Sequence, residues 1–220
     1  MVIILHKFVF VYFLFFLLLF SYETINVNAN EDKYLVYIDP GHGGMDGGCS
    51  FGDLIEKNVN LKIGLTLKDV LESKGYEVKM TRSGDVSLCK DKFSKKEDIY
   101  TRIDLMNASS ADLYISIHTN SFVKDKYYGA QVFYNNVCEN NTYLAHRIQS
   151  HLVEYTETTR MPKLLNNVMV LKKVEKVGCL VECGFLSNPK EYKLFQDDAY
   201  IRIIANSISY GIDDYFLEYV

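Results

Sequence analysis

From Lys33 onward the hydrophobic pattern of this chain changes period repeatedly. "YLVYID" is a short apolar run stopped by Pro40 and a group of glycines, as a buried strand would be. Residues 58–74 instead place Ile63, Leu67, Val70 and Leu71 on one helical face, with Gly75 positioned as a C-terminal stop. "YEVKMT" returns to period two, Tyr76, Val78 and Met80 alternating with Glu77 and Lys79. "KEDIYTRIDLMNASSA" predicts a helix, and "DLYISIH" a strand bounded by Asn120 and Ser121. "GAQVFYNN" predicts a strand, residues 141–155 a helix, and "VMVLKK" and "CLVECG" two more strands. Residues 199–216 close the chain with Ile201, Ile204, Ile208, Ile212 and Tyr215 at helical spacing. This alternation predicts an α/β fold whose sheet is mostly parallel or mixed, with helices on both faces.

Composition narrows the class. At 220 residues the chain is long enough for one ordinary domain with a proper core. A net charge of −4 without any basic run gives nucleic acid no electrostatic footprint. The first segment differs from the rest: "FVFVYFLFFLLLF", an apolar run of about 13 residues, follows a lysine and precedes the polar "SYETINVNAN". Residues 1–29 read as an export signal, with Val27 and Ala29 as the small residues before the cut. An uncleaved membrane anchor is the competing reading, since residues 2–20 nearly span a bilayer with His6 and Lys7 at its edge. Either way residues 30–220 are expected to work outside the cytoplasm. The five cysteines, Cys49, Cys89, Cys138, Cys179 and Cys183, are odd in number and lack C-x-x-C spacing, which favours buried free thiols.

"YIDPGHGGMDGG" places five glycines around His42 and two aspartates. Glycine costs conformational entropy wherever it is fixed, so this concentration implies that something approaches the backbone closely. His42 follows the first predicted strand, His118 ends "DLYISIH" and Glu182 lies near the end of "CLVECG". The carboxyl ends of strands in an open α/β sheet form the crevice where ligands bind. Glu56, in "GDLIEKNVNL", sits just before the first helix. Two histidines and a glutamate are a usual ligand set for a catalytic zinc, so His42, Glu56 and His118 become candidate ligands and Glu182 a candidate for proton transfer. Singly, each has a plainer reading. A strand-end histidine serves structure more often than a metal, and a glutamate at a helix start stabilises the dipole. Glu182 is harder to dismiss, because a carboxylate among "CLV" and "CGF" is costly to bury without a partner. His146 and His151, five apart, fall on different sides of their helix and read as structural.

The motifs "DPGHGG", "GDLIEKNVNL", "TRSGD", "SIHTNS" and "VECGFLSNPKE" occur in this order, and with them the chain resembles the zinc-dependent N-acetylmuramoyl-L-alanine amidases of the amidase-3 type. The resemblance covers residues 33–220. A single catalytic domain behind a signal-like leader, without wall-binding repeats, is most similar to the sporulation amidases of spore-forming bacteria. Carried over by position, the resemblance makes His42, Glu56 and His118 ligands of one zinc ion and Glu182 the catalytic acid/base. It also implies a six-stranded sheet wrapped by helices, peptidoglycan as substrate, a role in spore cortex formation, and a location in the cell wall or forespore intermembrane space. Two departures stand out. The family's proline and alanine before the "LVE" strand are replaced by Val177, Gly178 and Cys179, which is expected to affect the strand entry. Family members with a self-inhibitory helix carry a long insertion between the second histidine and the final glutamate, whereas the interval from His118 to Glu182 is compact and shows no such lid, so control by an exported partner protein that stabilises the metal site is an expectation. Asn120 and Arg102 are weaker candidates for substrate contact. Turn hydrogen bonds for Asn120 and a helix-surface ion pair for Arg102 are their plainer roles. A zinc peptidase acting on the stem peptide and a non-catalytic wall-binding protein are the rival functions.

Overall fold

The structure, a computed structural model, describes residues 33–89 and 92–220, so the expected leader of residues 1–29 lies outside the described part. Eight strands and six helices follow in chain order. They are β1 (Leu35–Pro40), β2 (Ser50–Phe51), β3 (Leu54–Ile55), α1 (Glu56–Ser73), β4 (Glu77–Met80), α2 (Lys95–Ala108), β5 (Leu113–Asn120) and β6 (Gln131–Tyr134). After these come α3 (Asn141–Tyr155), β7 (Lys163–Leu164), α4 (Met169–Lys173), β8 (Val177–Phe185), α5 (Pro189–Leu194) and α6 (Asp198–Tyr219). Six strands form one sheet in the order β4-β1-β5-β8-β6-β7, while β2 and β3 make a small separate hairpin. The pairs β1/β4, β1/β5, β5/β8 and β6/β7 are parallel and β6/β8 is antiparallel, so the sheet is mixed.

The centre of the sheet is buried on both faces, which is why its strands read as continuous apolar runs. Along β1, Val36 and Ile38 join a core with residues of α1, α3 and α6, whereas Leu35 and Tyr37 join Ile103 and Met106 of α2 and Val170 of α4. Two helical layers therefore sandwich the sheet. The predicted face of α1 is buried, with Ile63, Leu67 and Leu71 fully enclosed. Gly75 follows the helix at φ 94°, a conformation glycine adopts without penalty. In α6, Ile201, Ile204, Ile208, Ile212 and Tyr215 are all buried, as their spacing requires.

α6 crosses α3 closely at Gly211. A Cβ there would lie 2.5 Å from both Cα and N of Ile148. Gly211→Ala is expected to force the two helices apart and cost about 1–3 kcal/mol, the usual penalty of overpacking. Thermal unfolding reads it directly, and an unchanged Tm would contradict this close approach.

One predicted strand is a helix. "VMVLKK" contains the single-turn helix α4, which buries Val170 and Leu171, with Val174 buried just beyond its end, four residues after Val170. The sixth strand of the sheet is instead the two-residue β7. The Val177, Gly178, Cys179 departure leaves β8 in register with β5, Gly178 lying opposite Tyr114 and donating its amide to Asn141 Oδ1 at 2.8 Å. All five cysteines are free, and Cys179 and Cys183 are buried.

Candidate active site

The carboxyl ends of β1 and β5 and the start of α1 deliver three side chains to one place. His42 Nε2 lies 3.1 Å from Glu56 Oε1, and His118 Nδ1 lies 3.0 Å from the same oxygen. One ligand atom from each of the three residues falls within 4.8 Å of the others, an arrangement able to hold a metal ion. Glu56 is the first residue of α1 and is buried, with Oε2 accepting from the Cys49 amide at 2.9 Å and Oε1 from Asn60 Nδ2 at 3.4 Å. Burial alone would raise its carboxyl, but hydrogen bonds and charge from His118 and His42 outweigh that and hold it far below the usual carboxylate range. For His118 burial disfavours the charged ring, while Glu56 and Glu182 favour it more strongly and raise its pKa.

The glycines around His42 are explained by the chain itself. A Cβ on Gly41 would sit 2.2 Å from His118 Cε1, so the backbone approaches the second histidine ring as closely as glycine allows. Gly48, at φ 68°, faces Glu56 Oε2, which a Cβ would meet at 2.5 Å. At these two positions the close neighbour is a histidine or glutamate of the cluster.

Glu182 lies directly across from His118 in the β5/β8 register. Its Oε2 is buried and has no hydrogen-bond partner among the described residues. Burial raises its carboxyl to about 7; His118 and His42 oppose the rise and Glu56 adds to it. Both Glu182 and the histidines line a cavity of about 360 Å³ whose walls include Arg102, Val170 and Leu180. An unpartnered carboxylate beside a cluster of metal-ligand type, in one cavity, suits activation of a water and protonation of a leaving group.

Comparison with known proteins decides the family. The model of the N-acetylmuramoyl-L-alanine amidase family matches residues 36–214. The chain belongs to that family. The germination-specific N-acetylmuramoyl-L-alanine amidase of Bacillus subtilis is 39% identical over 94% of this chain and 92% of its own length. The CwlD amidase of Clostridioides difficile, solved in complex with the GerS lipoprotein, superposes with a TM-score of 0.81 at 36% identity, covering 84% of this chain and 99% of that one. A second amidase, from Clostridium difficile 630, reaches a TM-score of 0.77 at 30% identity over 86% of this chain and 99% of that one. The protein is thus a hydrolase that cuts the bond between N-acetylmuramic acid and L-alanine in peptidoglycan. Among the described residues, no helix of the amidase is long and apolar enough to cross a membrane.

The two weaker candidates occupy different situations. Arg102 lies in α2 but is not on its surface: only 3% of it is exposed. Its Nη1 donates to Asp39 Oδ1 at 2.8 Å, its Nε to Asp98 Oδ1 at 2.7 Å and its Nη2 to the His42 carbonyl at 2.6 Å. The expected helix-surface ion pair is therefore a buried one, because the carboxylates it meets come from β1 and from the inner side of α2. Asn120 ends β5, where its Oδ1 accepts from the Ser121 amide at 2.8 Å. Two residues escaped the sequence reading. Asp46 Oδ2 stands 2.8 Å from His42 Nδ1 and leaves Nε2 turned toward Glu56. Burial works against the Asp46 carboxylate, yet His42 and the Gly48 amide pull its pKa below the ordinary value. Asn60, fully buried in α1, donates to the Gly41 carbonyl at 3.2 Å and accepts from Thr119 Oγ1 at 3.2 Å. The four-residue spacing from His42 to Asp46 and from Glu56 to Asn60 was the available signal.

Proposed function

We propose that this amidase holds one zinc ion through His42, Glu56 and His118 and uses Glu182 as general acid/base, acting on peptidoglycan outside the cytoplasm during spore cortex formation. The observation that carries the reading is the convergence of two imidazole nitrogens on one Glu56 oxygen, with the unpartnered Glu182 carboxylate in the same cavity. The donor set fits zinc, which favours two histidines and a carboxylate and keeps a further position open in catalytic sites. When bound, zinc lowers the pKa of a water to about 7 and polarises the scissile carbonyl.

The chain's own residues supply the rest. Asp46 keeps the His42 ring oriented, and Asn60 and the Cys49 amide keep Glu56 oriented. Glu182 accepts the proton of the attacking water at its carboxylate and then delivers it to the nitrogen of the departing L-alanine. The amide C–N bond breaks, leaving a carboxylate on the lactyl group of the sugar and a free amine on the stem peptide.

The spore role is supported by the name of the germination-specific relative; the fold match is to the CwlD amidase. The latter, solved with a lipoprotein, also supports an exported protein partner here. Export itself rests on the leader of residues 1–29, with cleavage after Ala29. Digestion of purified peptidoglycan by zinc-loaded protein lacking residues 1–29, followed by mass spectrometry, tests the reading. Peptide-free muramic acid and intact stem peptides are expected, and their disappearance on zinc removal, with return on zinc addition. Alanine still attached to muramic acid would indicate a peptidase, and unchanged turnover without zinc would remove the metal.

A further inference from the structure

We infer that Arg82 is a positioning residue for the metal ligands, fixing His42 relative to Glu56 through main-chain carbonyls without touching substrate. The inference rests on the metal site proposed above. His42 is the only non-glycine among the described residues with a positive φ, at 62°. Such a conformation is costly for a side chain with a Cβ and persists only where the surroundings over-determine it.

Arg102 holds the His42 and Pro40 carbonyls from one side, at 2.6 and 2.8 Å, and the link to the Glu56 turn is supplied by "TRSGD", residues 81–85. Arg82 is 3% exposed and does not line the cavity that contains His42, His118 and Glu182. Its Nε donates to the Pro40 carbonyl at 2.9 Å and its Nη2 to the Gly41 carbonyl at 3.0 Å, the two residues just before His42. The same Nη2 donates at 2.7 Å to the carbonyl of Lys57, the residue just after Glu56. One planar fork thus ties the loop bearing one ligand to the helical turn bearing the other. Asp85 closes the opposite side, accepting from the Gly44 amide at 2.8 Å and from Lys57 Nζ at 2.7 Å, while Lys57 Nζ also donates to the Gly44 carbonyl at 2.8 Å.

The chemistry of Arg82 separates this role from ordinary packing. Each of its hydrogen bonds goes to a main-chain carbonyl, the remaining one from Nη1 to Gly84 at 3.1 Å, and none to a carboxylate. Burying a guanidinium without a bonded counter-ion is expensive, and an apolar side chain could fill the same volume at lower cost. What an apolar side chain could not do is hydrogen-bond three carbonyls from two ligand-bearing segments.

Zinc affinity, measured by chelator competition, and the visible absorption of the cobalt-substituted protein test the inference on Arg82→Met and Arg82→Lys. Ile204→Val in α6, buried among core residues, serves as the control for general loss of stability. Arg82→Met is expected to weaken zinc binding about 10–100-fold and to change the cobalt spectrum, because orienting partners behind metal ligands typically have effects of that size. Arg82→Lys should fall between, since one ammonium cannot reproduce the fork. If Arg82→Met does not fold, Arg82→Lys decides the matter alone. Wild-type zinc affinity and cobalt spectrum in the folded Arg82 variants would overturn the inference while leaving the metal site standing. Loss of zinc by Ile204→Val in proportion to its loss of Tm would overturn it too. A wild-type protein that takes up neither metal would overturn the site and this inference together.

Discussion

Glu182→Gln is expected to lower kcat on peptidoglycan by about 10²–10⁴-fold, the range spanned by positioned general acids and bases, while one zinc remains bound per chain. Glutamine preserves the shape of the side chain and removes its ability to accept and return a proton. The effect should be confined to chemistry, because Glu182 Oε2 makes no hydrogen bond that the fold would lose among the described residues. The pH profile gives a second reading of the same group. Burial raises the carboxyl to about 7, so near and below neutrality a share of Glu182 carries the proton it must accept, and wild-type activity falls as pH drops. A bound divalent cation moves that limb to lower pH without reversing its direction. The variant should lack the limb. Residual activity above a tenth of wild type, at full zinc occupancy, would assign the proton transfers to another group.

The fold and the candidate site were legible in the sequence to different depths and for different reasons. Long elements were read nearly to their ends because their buried residues repeat over several turns, as in α3 and α6. Short ones were not. α4 buries only Val170 and Leu171 within its five residues, too few to separate a turn of helix from a strand. α5 was signalled by Asn188 before Pro189, and the Asn188 side chain does accept from the Lys190 and Glu191 amides, but no apolar repeat drew attention to it. In the site, His42, His118 and Glu182 could be placed at one rim because each sits at or near a strand end. Arg82 and Arg102 could not be placed. Apart from Asp98, which lies four residues from Arg102 on the same helix, and the neighbouring Gly84 carbonyl, their partners are the carbonyls of residues 40–42 and 57 and the Asp39 carboxylate, distant in sequence, and nothing in a linear sequence marks a main-chain carbonyl as the target of a guanidinium.

Asp39→Asn carries the largest expected loss of stability, about 3 kcal/mol, at the lower end of what breaking a buried ion pair costs. Asp39 is 1% exposed, and its carboxylate accepts from Arg102 Nη1 and Ser116 Oγ at 2.8 Å each and from Thr81 Oγ1 at 2.7 Å. Neutralising it leaves the Arg102 guanidinium buried with Asp98 as its one remaining carboxylate partner, which is why the loss stays at the lower end. In a domain of this size the change corresponds to a Tm lower by roughly 6–12 °C, measured on metal-free protein so that zinc binding does not enter. Thr81→Val, which removes one neutral donor, should cost only about 1 kcal/mol. The sign of the pH dependence follows from Asp39 itself. Burial would raise its carboxyl, but Arg102, Thr81 and Ser116 outweigh burial and lower it below the ordinary value. A carboxylate with a depressed folded pKa contributes its full stability above the unfolded value of about 3.9 and loses it as pH falls through the folded one. The Tm difference between wild type and Asp39→Asn should therefore hold from neutrality down to about pH 4 and narrow below it. A difference that narrowed already between pH 7 and 5 would mean that Asp39 is not held ionised by Arg102, and that the charge balance behind the His42 loop is set elsewhere.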